Sequence, residues 1–377
     1  MTESEWKKVR LTDFVWFQRG FDLPKNKFMP GNIPVYGSTS ILGYHNQSKV
    51  KGPGIITGRS GTIGKFQYST GEFWPHNTSL WVKDFKGNSP KFAFYLLHCL
   101  DFKSMNTGGA VPTLNRNLLS SFIVDVPSIK TQNKIASILS AYDDLIENNL
   151  KRIKLLEEKA QLTYEEWFVR MKYPGHENDV VDSERVLPKG WCISDVNSLL
   201  GKLPSKTKIK KSEILDEGLF PVIDQSRDFI SGYTNEASSV YKASTLNPII
   251  VFGDHTRVLK LIQFDFSRGA DGTQLITSSK DEIPNYFLYL TLSQIDLSNY
   301  SYARHFKYLK IEEVVIPDAL IIQRFEELVI PVFKTCHKLS EINRLLISAR
   351  DLLLPRLMSG MIDIDEIKYN SPKETLA

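Results

Sequence analysis

Residues 132–168 read QNKIASILSAYDDLIENNLKRIKLLEEKAQLTYEEWF, without a glycine or a proline. Apolar or seam-compatible side chains recur there in alternating steps of four and three. They are Ile135, Leu139, Tyr142, Ile146, Asn149, Ile153, Leu156, Ala160, Thr163 and Trp167. This is a heptad stripe, the pattern of a helix that packs along its length on another helix. At ~1.5 Å per residue the rod is roughly 55–60 Å long, more than one ordinary domain spans. Asn149 at a seam position either fixes register or lies hydrated at the seam's edge.

A second stripe of the same stepping lies near the C-terminus: Leu328, Val332, Thr335, Leu339, Ile342, Leu346, Ala349 and Leu353. Pro331 falls near its start, where a missing N–H is tolerated or a kink is marked. Each stripe needs an apolar partner, and the nearest is the other stripe. Antiparallel pairing brings the second rod back toward the first globule. The segments upstream of the rods also correspond. GNIPVYG (31–37) matches GLFPVID (218–224), and GPGIITGRSGTIGKFQYS (52–69) matches NPIIVFGDHTRVLKLIQF (247–264). HNTSLWV (76–82) sits where DGTQLIT (271–277) sits, and SPKFAFYLLHCL (89–100) matches IPNYFLYLTLSQI (283–295). The order is globule, rod, globule, rod, a duplication of domains and not a solenoid. Short strands rich in Val, Ile, Tyr and Phe, broken by Gly, Pro, Asn and Ser, predict mostly antiparallel β globules with one amphipathic helix each. The fold class is therefore α+β with a pseudo-two-fold internal repeat.

The chain has 377 residues, net charge +4 and 42% hydrophobic residues. That suits two or three soluble domains and is compatible with DNA without being diagnostic of it. No apolar run is long enough for a membrane span, and MTESEWKKVRL lacks a signal core. Cys99, Cys192 and Cys336 are far apart and odd in number, which reads as reduced thiols in a cytoplasmic protein. Common catalytic motifs are missing: no Walker-type phosphate loop, no His-Glu-x-x-His pair, no Gly-x-Ser-x-Gly elbow, no Asn-Pro-Pro-Tyr/Phe grip and no histidine cluster. GRSGTIG is followed by strand-like KFQYS, so its glycines read as a β-hairpin turn. No catalytic and no metal-binding residue is expected.

Binding chemistry is better represented. Arg59, Thr62 and Lys65 flank or form the first hairpin, with His76 and Asn77 in the next turn. The matching places in the second globule hold His255, Arg257 and Lys260, then Arg268, Asp271 and Gln274. Arg and Lys suit guanine edges, Asn and Gln suit adenine. KLPSKTKIKK (202–211), with Lys206, Lys208 and Lys210, fits a phosphate-contacting loop, or a solvated edge strand. YSYARHFKYLK (300–310), with Arg304, His305 and Lys307, falls opposite TGGAVPTLNRN (107–117), as a loop at the same place in each globule.

VPSIKTQNKIASILSAYDDLIENN, ARDLLLPRLMSGMI, TGRSGTIGKF and LPKGW together resemble the specificity subunits of Type I restriction-modification systems. The resemblance runs from Trp6 to about Ile362. It implies a first target recognition domain over 1–128, a spacer helix over 129–173, a second recognition domain over 174–319, a second helical region over 320–362 and a tail over 363–377. The two domains would be separated by two long helices packed as an antiparallel coiled coil. Such subunits do no chemistry. They bind a bipartite double-stranded DNA sequence and recruit two modification subunits that methylate adenine with S-adenosylmethionine, joined by restriction subunits that consume ATP with Mg. The second hairpin, GDHTRVL, departs from the first, which weakens any transfer of contact residues to it. Trp167, Phe168, Leu352 and Leu357 near the rod ends are candidate partner contacts, or caps of the rods against the globules. The competing expectations are a stand-alone diverged DNA methyltransferase and a non-DNA protein-interaction scaffold.

Overall fold

The computed structural model describes residues 6–59, 63–102, 114, 116–178, 181–182, 187–300 and 304–364. The chain divides into two compact units: residues 1–147 with 343–377, and residues 148–342. Both long helices are therefore shared. Each globule takes with it one part of each rod.

The first unit runs β1 (Lys7–Arg10), α1 (Leu11–Phe14), β2 (Trp16–Arg19), β3 (Ile33–Tyr36), β4 (Ile41–His45), β5 (Gly54–Gly58), β6 (Phe66–Ser69), β7 (Trp74–Pro75), β8 (Ser79–Asp84), α2 (Pro90–His98) and β9 (Ile123–Val126), then enters α3 (Ile129–Tyr164). Strand β5 is buried at every position. It lies between β6 and β8 in a four-stranded sheet of order β2-β8-β5-β6. A second sheet has order β4-β3-β7, with β3 and β7 parallel. Strands β1 and β9 pair antiparallel from Lys7↔Val126 to Arg10↔Ile123. The chain's first described strand thus clasps the strand that leads into α3.

The second unit repeats this plan. A short pair, β10 (Val181–Asp182) and β11 (Leu187–Pro188), precedes β12 (Cys192–Asp195), α4 (Val196–Leu199), β13 (Phe220–Ile223), β14 (Gly232–Thr234), β15 (Val240–Tyr241), β16 (Ile249–Gly253), β17 (Leu259–Ile262), β18 (Phe266–Arg268), β19 (Thr273–Ile276), α5 (Asn285–Ser293), α6 (Phe306–Ile311), β20 (Glu313–Ile316) and α7 (Ala319–Met358). Strand β16 is again fully buried and pairs antiparallel with β17 and β19, as β5 does with β6 and β8. Strand β13 runs parallel to β18, as β3 does to β7, and β12 clasps β20 as β1 clasps β9. The four segment matches read from sequence fall on equivalent elements. One detail differs: residues 306–311, expected as loop, form α6.

Helices α3 and α7 run antiparallel. Within the first unit the Arg350 guanidinium donates to Asp143 Oδ1 at 2.6 Å, and Asn343 Nδ2 donates to the Ile146 carbonyl at 3.4 Å. Within the second, Cys336 Sγ lies 3.9 Å from the Ile153 carbonyl, and the Tyr164 and Phe325 rings are 5.9 Å apart. Position numbers rise on one helix as they fall on the other. All ten seam positions expected in the first rod, nine in α3 and Trp167 in the π-helical turn that follows it, are buried or half-buried, whereas Leu145, Leu150, Leu155 and Leu162 between them are exposed. Asn149 is buried at 7% exposure, which favours its seam reading.

The stripe in α7 needs correction. Leu328 and Ile342 are 52% and 46% exposed, and the inward face is Phe325, Val329, Val332, Cys336, Leu339, Asn343, Leu346, Arg350, Leu353 and Leu357. Two positions are one residue off: Val329 is buried in place of Leu328, and polar Asn343 in place of Ile342, while the other six expected positions are buried or half-buried. Pro331 also lies well inside the helix, which begins at Ala319.

Each helix end is built into a core. Ile135, Ala136, Leu139, Leu357 and Met358 join Phe14, Phe92 and Leu97 in the first unit. Ala160, Tyr164, Trp167, Phe168, Phe325 and Phe333 join Trp191 and Phe287 in the second. Trp167, Phe168 and Leu357 are 8%, 3% and 1% exposed, so they cap the helices against the globules and offer no surface to a partner. Leu352 stays 61% exposed.

Two buried side chains on the long helices satisfy the short ones. Gln132 Oε1 accepts from Ser89 N at 3.0 Å at the start of α2, and Glu326 Oε1 accepts from Phe287 N at 2.9 Å in the first turn of α5. Burial lifts the Glu326 carboxyl to about 7, against an ordinary 4.5. The fold therefore holds this proton more tightly than the unfolded chain. Stability from it is complete below the ordinary value and is lost as pH rises through about 7. Glu326→Gln, which copies the neutral amide of Gln132, should stabilise the second unit at pH 8 by on the order of 2 kcal/mol. It should also flatten the rise in melting temperature between pH 8 and pH 5. An unchanged profile would contradict this account of Glu326.

Candidate nucleic-acid interface

In the first unit four loops converge. The β5–β6 hairpin meets the β7–β8 turn where Arg59 N donates to the Thr78 carbonyl at 3.1 Å. Ser38 Oγ, in the β3–β4 turn, donates to the same carbonyl at 3.0 Å. Arg19 Nε, at the end of β2, donates to the Asn77 carbonyl at 3.3 Å, and the Asn77 amide donates to Asp22. His76 Nδ1 lies 3.0 Å from Thr78 Oγ1. Gly20 is required here, since a Cβ would stand 2.1 Å from the His76 carbonyl oxygen. Lys65 is exposed and Arg59 half-buried, while Thr62 lies outside the described residues. The strands that flank GRSGTIG, β5 and β6, pair antiparallel and Gly64 has φ +82, while residues 60–62 lie outside the described residues.

The second unit assembles the same four places with different chemistry. Asp254 N donates to the Gly272 carbonyl at 2.7 Å, joining the β16–β17 hairpin to the β18–β19 turn. Gln225, just after β13, ties three loops together. Its Oε1 accepts from His255 N at 3.0 Å, its Nε2 donates to the Asp271 carbonyl at 3.1 Å, and its own carbonyl accepts from Thr256 Oγ1 at 2.6 Å. Gly272, at φ +71, leaves room for that amide, which would lie 2.5 Å from a Cβ. Ile209 N donates to the Arg268 carbonyl at 2.9 Å, so Lys208 and Lys210 stand exposed on either side of buried Ile209.

The loop matched across the globules also lands at one place. Leu114 N donates to the Arg59 carbonyl at 2.8 Å, and His305 N donates to the Asp254 carbonyl at 2.9 Å. Residues 103–113, 115 and 301–303 lie outside the described residues.

Several expected DNA contacts are occupied by the fold. Lys260 is 4% exposed and donates to the Asp224 and Asp228 carbonyls at 2.9 and 2.5 Å. Burial pulls its ammonium below the usual lysine range, against the pull of Asp224 and Asp228. Burial also works to raise the Asp224 carboxyl, but bonds from Ser226 and Ser231 and the Lys260 charge leave it lowered. Lys206 Nζ donates to the Val240 carbonyl at 2.5 Å and lies 5.6 Å from the Tyr241 ring centre. The Arg268 guanidinium donates to the Thr273 carbonyl. His305 is 6% exposed, and its Nδ1 donates to the Asp254 carbonyl at 2.9 Å. A buried donor already paired to a backbone carbonyl would have to break that bond to reach a base. Arg257 is exposed, with one Nη on the Leu297 carbonyl at 3.1 Å. His255, Arg304 and Lys307 are exposed and Gln274 is half-buried. The sequence reading missed Arg19, Asp22, Ser38 and Gln225. Ser38 and Gln225 directly follow the matched segments GNIPVYG and GLFPVID, so extending that match by one residue finds both.

The profile of the Type I restriction modification DNA specificity domain matches residues 3–158. The MjaIX Type I restriction enzyme specificity subunit of Methanocaldococcus jannaschii is 28% identical, over 70% of this chain and 66% of that protein. The match thus spans just under two thirds of that relative's length. The HindI Type I restriction enzyme specificity subunit of Haemophilus influenzae is 26% identical, over 72% of this chain and 77% of that one. The crystal structure of the Type I restriction-modification system S subunit from M. genitalium is similar in fold, with TM-score 0.61 at 16% identity, covering 95% of this chain and 97% of that one. Among the described residues no helix is long and apolar enough to cross a membrane.

Proposed function

We propose that this chain, whose residues 3–158 match the profile of the Type I restriction modification DNA specificity domain, is a non-catalytic subunit that reads double-stranded DNA. One unit reads one half of a bipartite target, and the other unit reads the second half. The observation that carries this is the pair of loop clusters, built on the same topology and furnished with different polar side chains. Equal scaffolds with unequal tips suit two different half-sequences. Helix α3 begins in one unit and ends in the other, and α7 returns.

Chemistry comes from partners in this reading. Two modification subunits bring S-adenosylmethionine, and restriction subunits bring ATP and Mg. Leu145, Leu150 and Leu155 of α3 and Leu345, Ile347 and Leu352 of α7 are exposed apolar side chains that suit such docking.

The full chain, alone and with modification subunits, should retard one split sequence over scrambled duplex. Equal retardation of all sequences at physiological salt would refute the reading. Methyl transfer from labelled S-adenosylmethionine by the chain alone would replace it with an enzyme. Arg59→Ala should change preference in one half of the target only, by ~1–3 kcal/mol. A competition titration against duplexes altered in each half checks this, and equal effects on both halves would contradict it.

A further inference from the structure

The loop after β13 is longer than its counterpart after β3. Residues 224–231 span it, against 37–40 in the first unit. Both loops are anchored alike. Ile56 pairs with Gln67 across the first hairpin and Val251 with Lys260 across the second, so Gln67 and Lys260 occupy one register position. Gln67 Nε2 donates to the Gly37 carbonyl at 3.1 Å, and Lys260 Nζ donates to the equivalent Asp224 carbonyl at 2.9 Å. The ammonium has donors to spare, and a second reaches the Asp228 carbonyl at 2.5 Å, across the longer loop.

The loop is held from within as well. Asp224 Oδ1 accepts from Ser226 N at 2.8 Å and from Ser231 Oγ, and Phe229 packs on Phe264 with ring centres 6.1 Å apart. Between these anchors sits Arg227. It is exposed, and among the described residues its guanidinium has no hydrogen-bond or charged partner. Its neighbour Gln225 bonds directly to the β16–β17 hairpin and the β18–β19 turn. An uncommitted planar fork on a pinned loop suits bidentate recognition of a guanine edge.

We infer that Arg227 is a specificity-determining DNA contact of the second unit, and that buried Lys260 is the positioning residue that aims it. This rests on the DNA-reading proposal and deepens it. Lys260 was expected to touch DNA; here it acts through the loop it holds.

The test uses the full chain with its modification subunits and a randomised duplex library, sequenced after selection. Arg227→Ala and Arg227→Lys should each lose preference at the same base positions, within one half of the target, by roughly tenfold to a hundredfold. Lysine keeps the charge but not the fork, so its failure to rescue marks a base contact and not a phosphate contact. Lys260→Gln installs the first unit's own side chain at this position, so it keeps the Asp224 bond and gives up the Asp228 bond. It should blur the same base positions, and the double variant Lys260→Gln with Arg227→Ala should be no worse than Arg227→Ala alone. Thermal melts confirm that each variant is folded. Unchanged preference in Arg227→Ala, a uniform loss across all sequences, rescue by lysine, or additive effects in the double variant would each overturn the inference. If the unaltered chain enriches no sequence at all, the DNA-reading proposal falls, and this inference with it.

Discussion

Phe168→Ala will cost the second unit about 3–5 kcal/mol, the range for removing a large buried aromatic ring. Phe168 is 3% exposed and its ring centre lies 4.9 Å from Phe325, 5.1 Å from Phe287, 5.1 Å from Tyr164 and 6.0 Å from Trp191. Those neighbours come from both long helices and from the globule, so the cavity cannot close by moving one side chain. A thermal melt should fall by roughly 10 °C, taking about 2–4 °C per kcal/mol for a unit of this size. Leu352→Ala, at a side chain 61% exposed, should stay within about 0.5 kcal/mol of the parent chain. The two residues were equal as partner candidates in the sequence. A harmless Phe168→Ala and a crippling Leu352→Ala would show the helix ends to be misassigned.

Affinity for DNA will fall about a thousandfold as salt rises from roughly 50 to 200 mM, if about six exposed cations each neutralise one phosphate. Lys65, Lys208, Lys210, Arg304 and Lys307 are exposed at or beside the loop clusters, and Arg19 stands at the end of β2. A slope near −5 in log affinity against log salt follows from about −0.9 per contact. Lys208→Ala with Lys210→Ala should make the slope about two units shallower and weaken all sequences alike. Titration of one duplex at several salt concentrations measures this. A flat slope would remove phosphate contacts from the account, and a sequence-selective loss would make these lysines base readers.

The long helices were legible because a repeat of four and three leaves a mark that a single exception cannot erase. One position of the α7 stripe was not, because the fold buries Asn343 while Ile342 beside it stays exposed. Hydropathy alone prefers the wrong neighbour there. The hairpins were legible from their glycines and β-branched flanks, and the duplication from paired segments such as GNIPVYG and GLFPVID. Donor capacity is a different matter. Lys260, Arg268 and His305 carry the chemistry of DNA contacts, yet each is tied to a backbone carbonyl of its own unit. A sequence shows that a donor exists and not whether it is already bonded. Arg227 went unnoticed for the opposite reason: it lies in the stretch by which the loop after β13 exceeds its counterpart in the first unit, so comparing the halves could not find it.

The central claim is that two related units each read their own half of one target. Selection from a fully randomised duplex library, by the full chain with its modification subunits, tests it most directly. The account predicts two short blocks of specified bases at a constant separation, with the bases between them unspecified. A single continuous block, or two blocks at variable separation, would contradict it.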